Sequence, residues 1–329
     1  MVVVNWNRKE LLRACLNSLA RQTGVEFETI VVDNGSSDGS AEMAEREFGA
    51  RVIRNAGNRG FCAANNQGIA VVRGQFVALL NNDAEAEPGW LEALHRACSK
   101  RPDVGMAASK VLVWEDPGRI DKAGHLIFPD GQNRGRGTGA PDTGQYDREE
   151  EALWPDGSAA MYRKEMLDQI GGFDEDFFAY GDDAELGLRA RIAGWKCIYT
   201  PAAVVRHHRG STLGKDSARR LELIERNRLL LAFKLFPWSL LWLNPFYFAA
   251  RVFAGLAAAQ RGAGDTAHFP GLRGKWAMAR AFVMGDLDAI RLMPRMLRKR
   301  RAIHRIRRLS ASQVRKLILE NRLPLRDAA

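Results

Sequence analysis

The chain lacks paired cysteines, a glycine-rich phosphate loop and an uninterrupted apolar span, and each absence removes a class of protein. Cys15, Cys62, Cys98 and Cys197 are widely scattered, with no CxxC and no Cys/His pairing at zinc-finger spacing. A disulfide framework is therefore excluded, and a reducing cytoplasm is expected. The turn after the first apolar run is Asn5-Trp-Asn-Arg8 and not GxGxxG, which excludes a dinucleotide-dependent dehydrogenase. Gly210-Ser-Thr-Leu-Gly214-Lys215 falls one residue short of a P-loop and continues with Asp216 where Ser or Thr is required. Met1 leads straight into Val2-Val-Val4 without the parts of a secretory leader, and a strand beginning at residue 2 suggests a trimmed start.

What is present supports a large folded domain with an appendage. The 329 residues are 46% hydrophobic, enough for a real core, so disorder throughout is excluded. The formal charge is +10, but from Arg291 onward thirteen Arg and Lys face only Glu320 and Asp327, so the rest of the chain is nearly neutral. Before this basic tail, Leu235 to Ala250 is sixteen residues without a charge. It contains Pro237, Asn244 and Pro245 and falls short of the roughly 20 apolar residues of a spanning helix. An interfacial or re-entrant hairpin fits better. The clusters Arg298-Lys-Arg-Arg301 and Arg305 to Arg308 then suit an anionic membrane surface. Nucleic acid is disfavoured, because the tail has no recognisable binding motif and no aromatics.

Periodicity sets the fold class. Val2 to Val4, Phe27 to Val32, Arg51 to Ile53 and Gln75 to Leu80 read as strands. They alternate with helices over Lys9 to Arg21, a stretch capped by Ser37 or Asp38 and ending at Phe48, Phe61 to Val72, and a segment opened by Pro88. Such alternation implies an α/β fold with a Rossmann-like, mostly parallel central sheet flanked by helices, whose ligands bind at the carboxyl ends of the strands. Asn5, Asp33 and Asp83 all fall at those ends. Residues 130 to 145, with five glycines, read as a mobile loop or an exposed connection. Ala159 to Tyr162, Cys197 to Tyr199 and Val204 to His207 read as further strands, and the remainder forms a C-terminal helical extension.

The densest chemical signal is Gly171-Gly-Phe-Asp-Glu-Asp-Phe-Phe-Ala-Tyr-Gly-Asp-Asp-Ala-Glu-Leu-Gly-Leu-Arg189. Clustered acids repel one another unless a cation, a proton or a substrate hydroxyl compensates them. Asp83 ends an apolar strand where it could hold a hard cation on a diphosphate, and one imidazole of His207-His208 could complete such a site. A nucleotide-type acid, a metal-type acid, a late histidine and a separate acid cluster thus share one expected sheet.

Together these motifs resemble the family 2 glycosyltransferases of the GT-A fold, particularly the bacterial rhamnosyltransferase-like branch. The matching residues are Val2-Val-Val-Asn-Trp-Asn7, Ile30-Val-Val-Asp-Asn-Gly-Ser-Ser-Asp-Gly-Ser40, Asn58-Arg-Gly-Phe61 with Asn65-Asn66, Leu79-Leu-Asn-Asn-Asp83, the segment from Gly171 to Arg189, and His207 with Gly210 and Thr212. The resemblance covers residues 1–215 and implies a GT-A catalytic domain there, while residues 216–329 read from their own composition as a helical, membrane-associating region, apolar then basic. It implies that Asn5, Asp33, Asn58, Arg59, Asn65 and Asn82 bind the nucleotide sugar, and that Asp83 and His207 hold Mn²⁺ or Mg²⁺. Asn81 stands where the family's metal motif begins with an acid, which leaves the site one negative charge poorer. Asp183 falls on the catalytic base, with Asp182 in place of a glutamate beside it. Glu185 and Arg189 read as an i, i+4 pair that orients the segment, and Asp174, Glu175 and Asp176 as loop-capping carboxylates.

The activity so implied is inverting transfer from a nucleotide-diphosphate sugar, dTDP-rhamnose being favoured, to a hydroxyl of a lipid-linked or cell-surface glycan, at the cytoplasmic face of the plasma membrane. Two other readings stay open on the residues alone. One is a sugar-phosphate nucleotidyltransferase, although Asn5 to Glu10 supplies no glycine-rich basic loop. The other is a non-enzymatic membrane- or nucleic-acid-associated module built on the basic tail. A processive polysaccharide synthase is disfavoured, since Gln-x-x-Arg-Trp and clear spanning helices are absent. Oligomeric state is not legible.

Overall fold

The computed structural model describes residues 1–208, 217–260 and 271–328. Two compact units result, Met1–His125 with Gly135–Arg209, and Leu126–Arg134 with Gly210–Ala329. The boundary expected at residue 215 falls outside the described residues, as do Gly210 and Thr212 of the late motif. The short excursion Leu126–Arg134, which the sequence placed in the catalytic part, belongs with the C-terminal helices.

The first unit runs β1 (Val2–Asn5), α1 (Lys9–Ala20), β2 (Ile30–Asp33), α2 (Ser40–Phe48), β3 (Arg51–Arg54), α3 (Gly60–Val71), β4 (Phe76–Leu80), β5 (Ala84–Ala86), α4 (Trp90–Ser99), β6 (Val104–Val113) and β7 (Ile120–Ala123). After the hairpin β8 (His125–Ile127) and β9 (Asn133–Gly135) come β10 (Glu150–Ala152), β11 (Ala159–Arg163), α5 (Lys164–Ile170), a single 3-10 turn at Glu175–Phe177, α6 (Asp182–Ile192) and β12 (Lys196–His207). The main sheet has the order β10-β12-β6-β11-β4-β1-β2-β3, with β5 on β12 and β7 on β6. The β4-β1-β2-β3 half is parallel, and antiparallel β11 joins it to β6. Leu12, Cys15, Leu16 and Leu19 of α1, Met43 of α2 and Trp90, Leu91 and Leu94 of α4 cover one face of this sheet. On the other face α3 lies so close that a Cβ on Gly68 would meet the Val2 side chain at 2.4 Å. Buried on both faces, β1 and β2 need the unbroken valine and isoleucine runs that the sequence supplies.

Two expectations change. The strands expected at 197–199 and 204–207 are one strand, β12, with a register shift between Thr200 and Val204. Pro201 has no N–H to offer the ladder, so the break in apolar pattern marks a bulge and not an end. The glycine-rich residues 130–145 are paired backbone: Arg136 N–H bonds to Gly124 O, Ile120 N–H to Ala140 O and Asp142 N–H to Gly118 O. Gly131 and Gly137, at φ 106° and 79°, make turns that side chains would strain, so glycine here signals tight turns.

The second unit runs α7 (Ala218–Leu235), α8 (Trp238–Leu241), α9 (Asn244–Gln260), α10 (Gly271–Ile306), α11 (Ala311–Glu320) and α12 (Leu325–Ala328), and Glu225 and Arg228 of α7, Arg251 of α9 and Asp130 form a buried ionic cluster inside it. Among the described residues no helix is long and apolar enough to cross a membrane.

Candidate active site

The parallel strand order 3-2-1-4 reverses direction at the β1/β4 crevice, where α/β sheets bind ligands. Asn5 and Asp33 are register partners at the ends of β1 and β2. The Asn5 amide donates to Ser40 Oγ at 2.8 Å and lies 3.4 Å from Asp33 Oδ1, while its carbonyl accepts from Asn82 Nδ2 at 2.7 Å. Asn5 therefore ties Asp33 to the end of β4. Asp33 Oδ2 accepts from Ser36 N–H at 2.9 Å, which fixes the carboxylate without a cation. Asn58 lies at the exposed rim, where its Oδ1 accepts from Gly60 N–H at 2.9 Å and from Asn34 Nδ2 at 3.3 Å. Arg59 beside it is exposed and its backbone N–H reaches Asn34 Oδ1. Asn65 is placed differently: it is buried, and its amide donates to Phe61 O within its own helix.

Asp83 and His207 come together from the segment after β4 and the end of β12. His207 Nε2 is 3.3 Å from Asp83 Oδ1, and its Nδ1 is 3.0 Å from Asp121 Oδ2 on β7. Burial opposes a charge on this imidazole, but its bonds with Asp121 and Asp83 outweigh burial and push its pKa up to about 9. A carboxylate oxygen and an imidazole nitrogen, the latter oriented by a second carboxylate behind it, form a donor pair that fits a divalent cation. Asn81 is anchored through its backbone, its N–H to Ser158 O at 2.8 Å.

Asp182 and Asp183 open α6 behind Gly181, which adopts φ 67° and leaves the helix N-terminus to favour negative charge. The two acids differ in environment. Asp182 is buried, whereas Asp183 keeps 13% of its side-chain surface exposed. Asp183 Oδ1 accepts from Ala184 N–H at 2.8 Å and Oδ2 from Gly157 N–H at 3.3 Å. Burial raises the pKa of Asp183, with the nearby charges of His125 and Lys122 pulling it down and Asp156 pushing it up. Asp182 is held well above the ordinary carboxylate range, by burial first and by Asp183 second.

Beside this pair lies a group of residues that sequence reasoning missed. Lys122 Nζ is 2.6 Å from Asp156 Oδ2, and His125 Nε2 lies 2.9 Å from the same oxygen and 3.6 Å from Asp183 Oδ2. Burial would raise the Asp156 pKa, but Lys122 and His125 hold it well below the usual range. His125, Asp156 and Asp183 have the mutual spacing of a metal-binding triad. The Lys122 ammonium already supplies the cation there, however, so the residues disfavour a divalent ion at this cluster and favour it at Asp83 and His207. The available signal was Asp121-Lys-Ala-Gly-His125, three ionisable residues crowded into five positions across β7 and the start of β8. Asp121 and Lys122 are chain neighbours, so a single strand, β7, serves both clusters.

The loop before α6 is clamped from inside. Arg189 Nη2 donates to Glu185 Oε2 at 2.8 Å and to Gly172 O at 2.6 Å, and its Nη1 donates to Ile170 O and Gly171 O. Asp174 accepts from Asp176 N–H and caps the 3-10 turn. Phe178 and Tyr180 follow at φ 63° and 69°, a left-handed conformation that is costly for bulky side chains and characteristic of functional loops. The Phe178 carbonyl accepts from Phe61 and Cys62 N–H, which docks the loop on the start of α3.

The fold is that of the GT-A glycosyltransferases. The fold matches GalNAc-T7 crystallised with UDP, GalNAc and Mn²⁺, with a TM-score of 0.59 at 16% identity, covering 76% of this chain and about half (49%) of that one. It also matches the mannosyltransferase PcManGT of Pyrobaculum calidifontis in complex with GDP-Man and Mn²⁺, with a TM-score of 0.55 at 18% identity, covering 88% of this chain and 86% of that one. Residues 1–171 match Glycosyl transferase family 2, and residues 148–260 match Glycosyl transferase family group 2. The chain belongs to glycosyl transferase family 2, and it is rhamnosyltransferase-like. It is 28% identical over 243 residues to the N-acetylglucosaminyl-diphospho-decaprenol L-rhamnosyltransferase of Mycobacterium tuberculosis, covering 67% of this chain and 79% of that protein. It is likewise 28% identical over 253 residues to the O-antigen biosynthesis protein RfbC of Myxococcus xanthus, covering 73% of this chain and 19% of that protein.

Proposed function

We propose that this glycosyltransferase moves a sugar, with inversion, from a nucleoside-diphosphate donor to a hydroxyl of a lipid-linked or cell-surface glycan, with Asp183 as the base. The observation that carries the reading is the arrangement around β7: Asp121 orients His207 beside Asp83, and the next residue, Lys122, pairs with Asp156 beside Asp183. One strand thus separates a leaving-group side from a base side. The relative in Mycobacterium tuberculosis, by its name an L-rhamnosyltransferase acting on N-acetylglucosaminyl-diphospho-decaprenol, supports rhamnose as the sugar moved and a lipid-linked acceptor, and dTDP as its carrier rests on the resemblance of the sequence alone.

In this reading Asp33, tied to Asn82 through Asn5, accepts hydrogen bonds from the nucleoside, and Asn58 and Arg59 line the rim of its pocket. Asp83 and His207 would hold Mn²⁺ or Mg²⁺, which supplies positive charge for the departing diphosphate oxygens. Asp183 takes the proton of the acceptor hydroxyl as that oxygen attacks the anomeric carbon. Its carboxylate is the more open of the two to an incoming hydroxyl, since Asp182 is buried. One base and one leaving-group stabiliser require no second carboxylate as covalent nucleophile, so a single displacement inverts the anomeric centre. Donor screening by release of nucleoside diphosphate, with and without Mn²⁺, tests the assignment. Release from one donor that needs both acceptor and Asp183 is expected; no release from any donor would overturn it.

A further inference from the structure

The second unit is inverted along α9. The only charged residue of Asn244–Gln260 is Arg251, and it is buried, its Nε 2.7 Å from Asp130 Oδ2 and its Nη2 2.8 Å from Glu225 Oε2. Arg228 completes the cluster, 2.9 Å from the same Glu225 oxygen. On the outside the helix presents Phe246, 73% exposed, with Phe253 and Leu256 at i+7 and i+10, and Trp242 stands open just before it. A helix bathed in water on its outer face normally shows the reverse, charge outward and apolar side chains inward.

The next helix repeats the pattern. On α10 Trp276, 75% exposed, is followed by Val283, Leu287 and Ile290 at i+7, i+11 and i+14, while Ala281, Ala289 and Met296 are buried. Phe248 of α9 and Phe282 of α10 meet with ring centroids 6.5 Å apart, so the two helices touch at this point. Large apolar side chains lined up on the open face of each helix mark contact with something other than water. Charge indicates what that is. Within Gly271–Ile306 ten Arg and Lys face only Asp286 and Asp288, and exposed Arg273, Lys275 and Arg280 flank Trp276.

We propose that α9 and α10 dock the chain on a bilayer surface containing anionic lipid, with Phe246, Phe253 and Trp276 entering the boundary between headgroups and acyl chains and the flanking basic residues meeting the headgroups. No described helix spans a membrane, so the contact is peripheral. The proposal does not depend on sugar transfer.

The test is co-sedimentation of the full chain with phosphatidylcholine vesicles, with and without phosphatidylglycerol. Binding to the anionic vesicles is expected, weakening with salt and accompanied by quenching of tryptophan fluorescence by brominated acyl chains. Phe253→Glu and Trp276→Glu each reduce that binding about tenfold, whereas Phe253→Leu retains it. Both altered side chains face water, so unchanged circular dichroism and thermal transitions are expected for the variants. Failure to bind vesicles, or equal binding by the glutamate variants, would overturn the proposal. So would self-association in lipid-free buffer that the glutamate variants abolish, which would give the face to a second copy of the chain.

Discussion

Lys122 and Asp156 form a buried ion pair, Nζ to Oδ2 2.6 Å, at the side of Asp183. Its charge reaches the proposed base, since the nearby lysine holds down the Asp183 pKa that burial raises. Removing that cation raises the carboxylate pKa further, and the base must be ionised to act. Lys122→Met is therefore expected to shift the acidic limb of the kcat profile to higher pH and to lower kcat at neutral pH by about tenfold or more. A profile that keeps its acidic limb in place would show that Lys122 acts only on the fold.

Asp182 is expected to cost stability. Its folded-state pKa is raised by burial and by Asp183, so between the ordinary aspartate pKa and the raised one the folded chain holds a proton that the unfolded chain has lost. Stability contributed by the protonated form is full at low pH and falls as pH rises through that window. Asp182→Asn should then unfold at a higher temperature than the parent near neutral pH, with the difference shrinking as pH falls toward the ordinary aspartate pKa. Thermal melts across pH check both the sign and the window.

The Glu185–Arg189 pair differs from a surface i, i+4 bridge, because both groups are buried and Arg189 also binds three loop carbonyls. Removing one partner strands a buried charge, at a cost of about 3–5 kcal/mol. Arg189→Met should lower the denaturant midpoint accordingly, and it should release the 171–181 loop to proteolysis at lower denaturant than the rest of the chain. A midpoint within experimental error of the parent would contradict this role.

Chelation tests the Asp83–His207 assignment. Treatment with EDTA is expected to abolish transfer, and Mn²⁺ or Mg²⁺ to restore it. Asp83→Asn should lose about 10²-fold or more in turnover and respond weakly to added metal. Lys122→Met should keep its metal response, because its cation belongs to the other cluster. Transfer that survives chelation undiminished would remove the metal from the account.

The sequence made the parallel half of the fold legible because β1, β2 and β4 are buried on both faces and read as unbroken apolar runs, with Asn5 and Asp33 ending β1 and β2 and Asp83 following β4 by three residues. The Glu185–Arg189 clamp was legible from i, i+4 spacing alone. Asp121, Lys122, His125 and Asp156 were not, because their function arises from long-range contacts that no local period encodes: Asp121 meets His207 from 86 residues away. The joining of Leu126–Arg134 to the C-terminal unit was hidden for the same reason, since the Asp130 carboxylate meets Arg228 and Arg251 from about 100 residues or more away. Asn65 illustrates a motif residue whose side chain, in this chain, closes a bond within its own helix.

The central claim is that Asp183 takes the proton of the acceptor, and it is tested most directly by measuring donor binding and turnover of Asp183→Asn in parallel. The donor dissociation constant, by calorimetry, is expected to stay near that of the parent, while the rate of nucleoside diphosphate release in the presence of acceptor falls by about 10²- to 10⁴-fold. Turnover equal to the parent's at unchanged donor affinity would contradict the account.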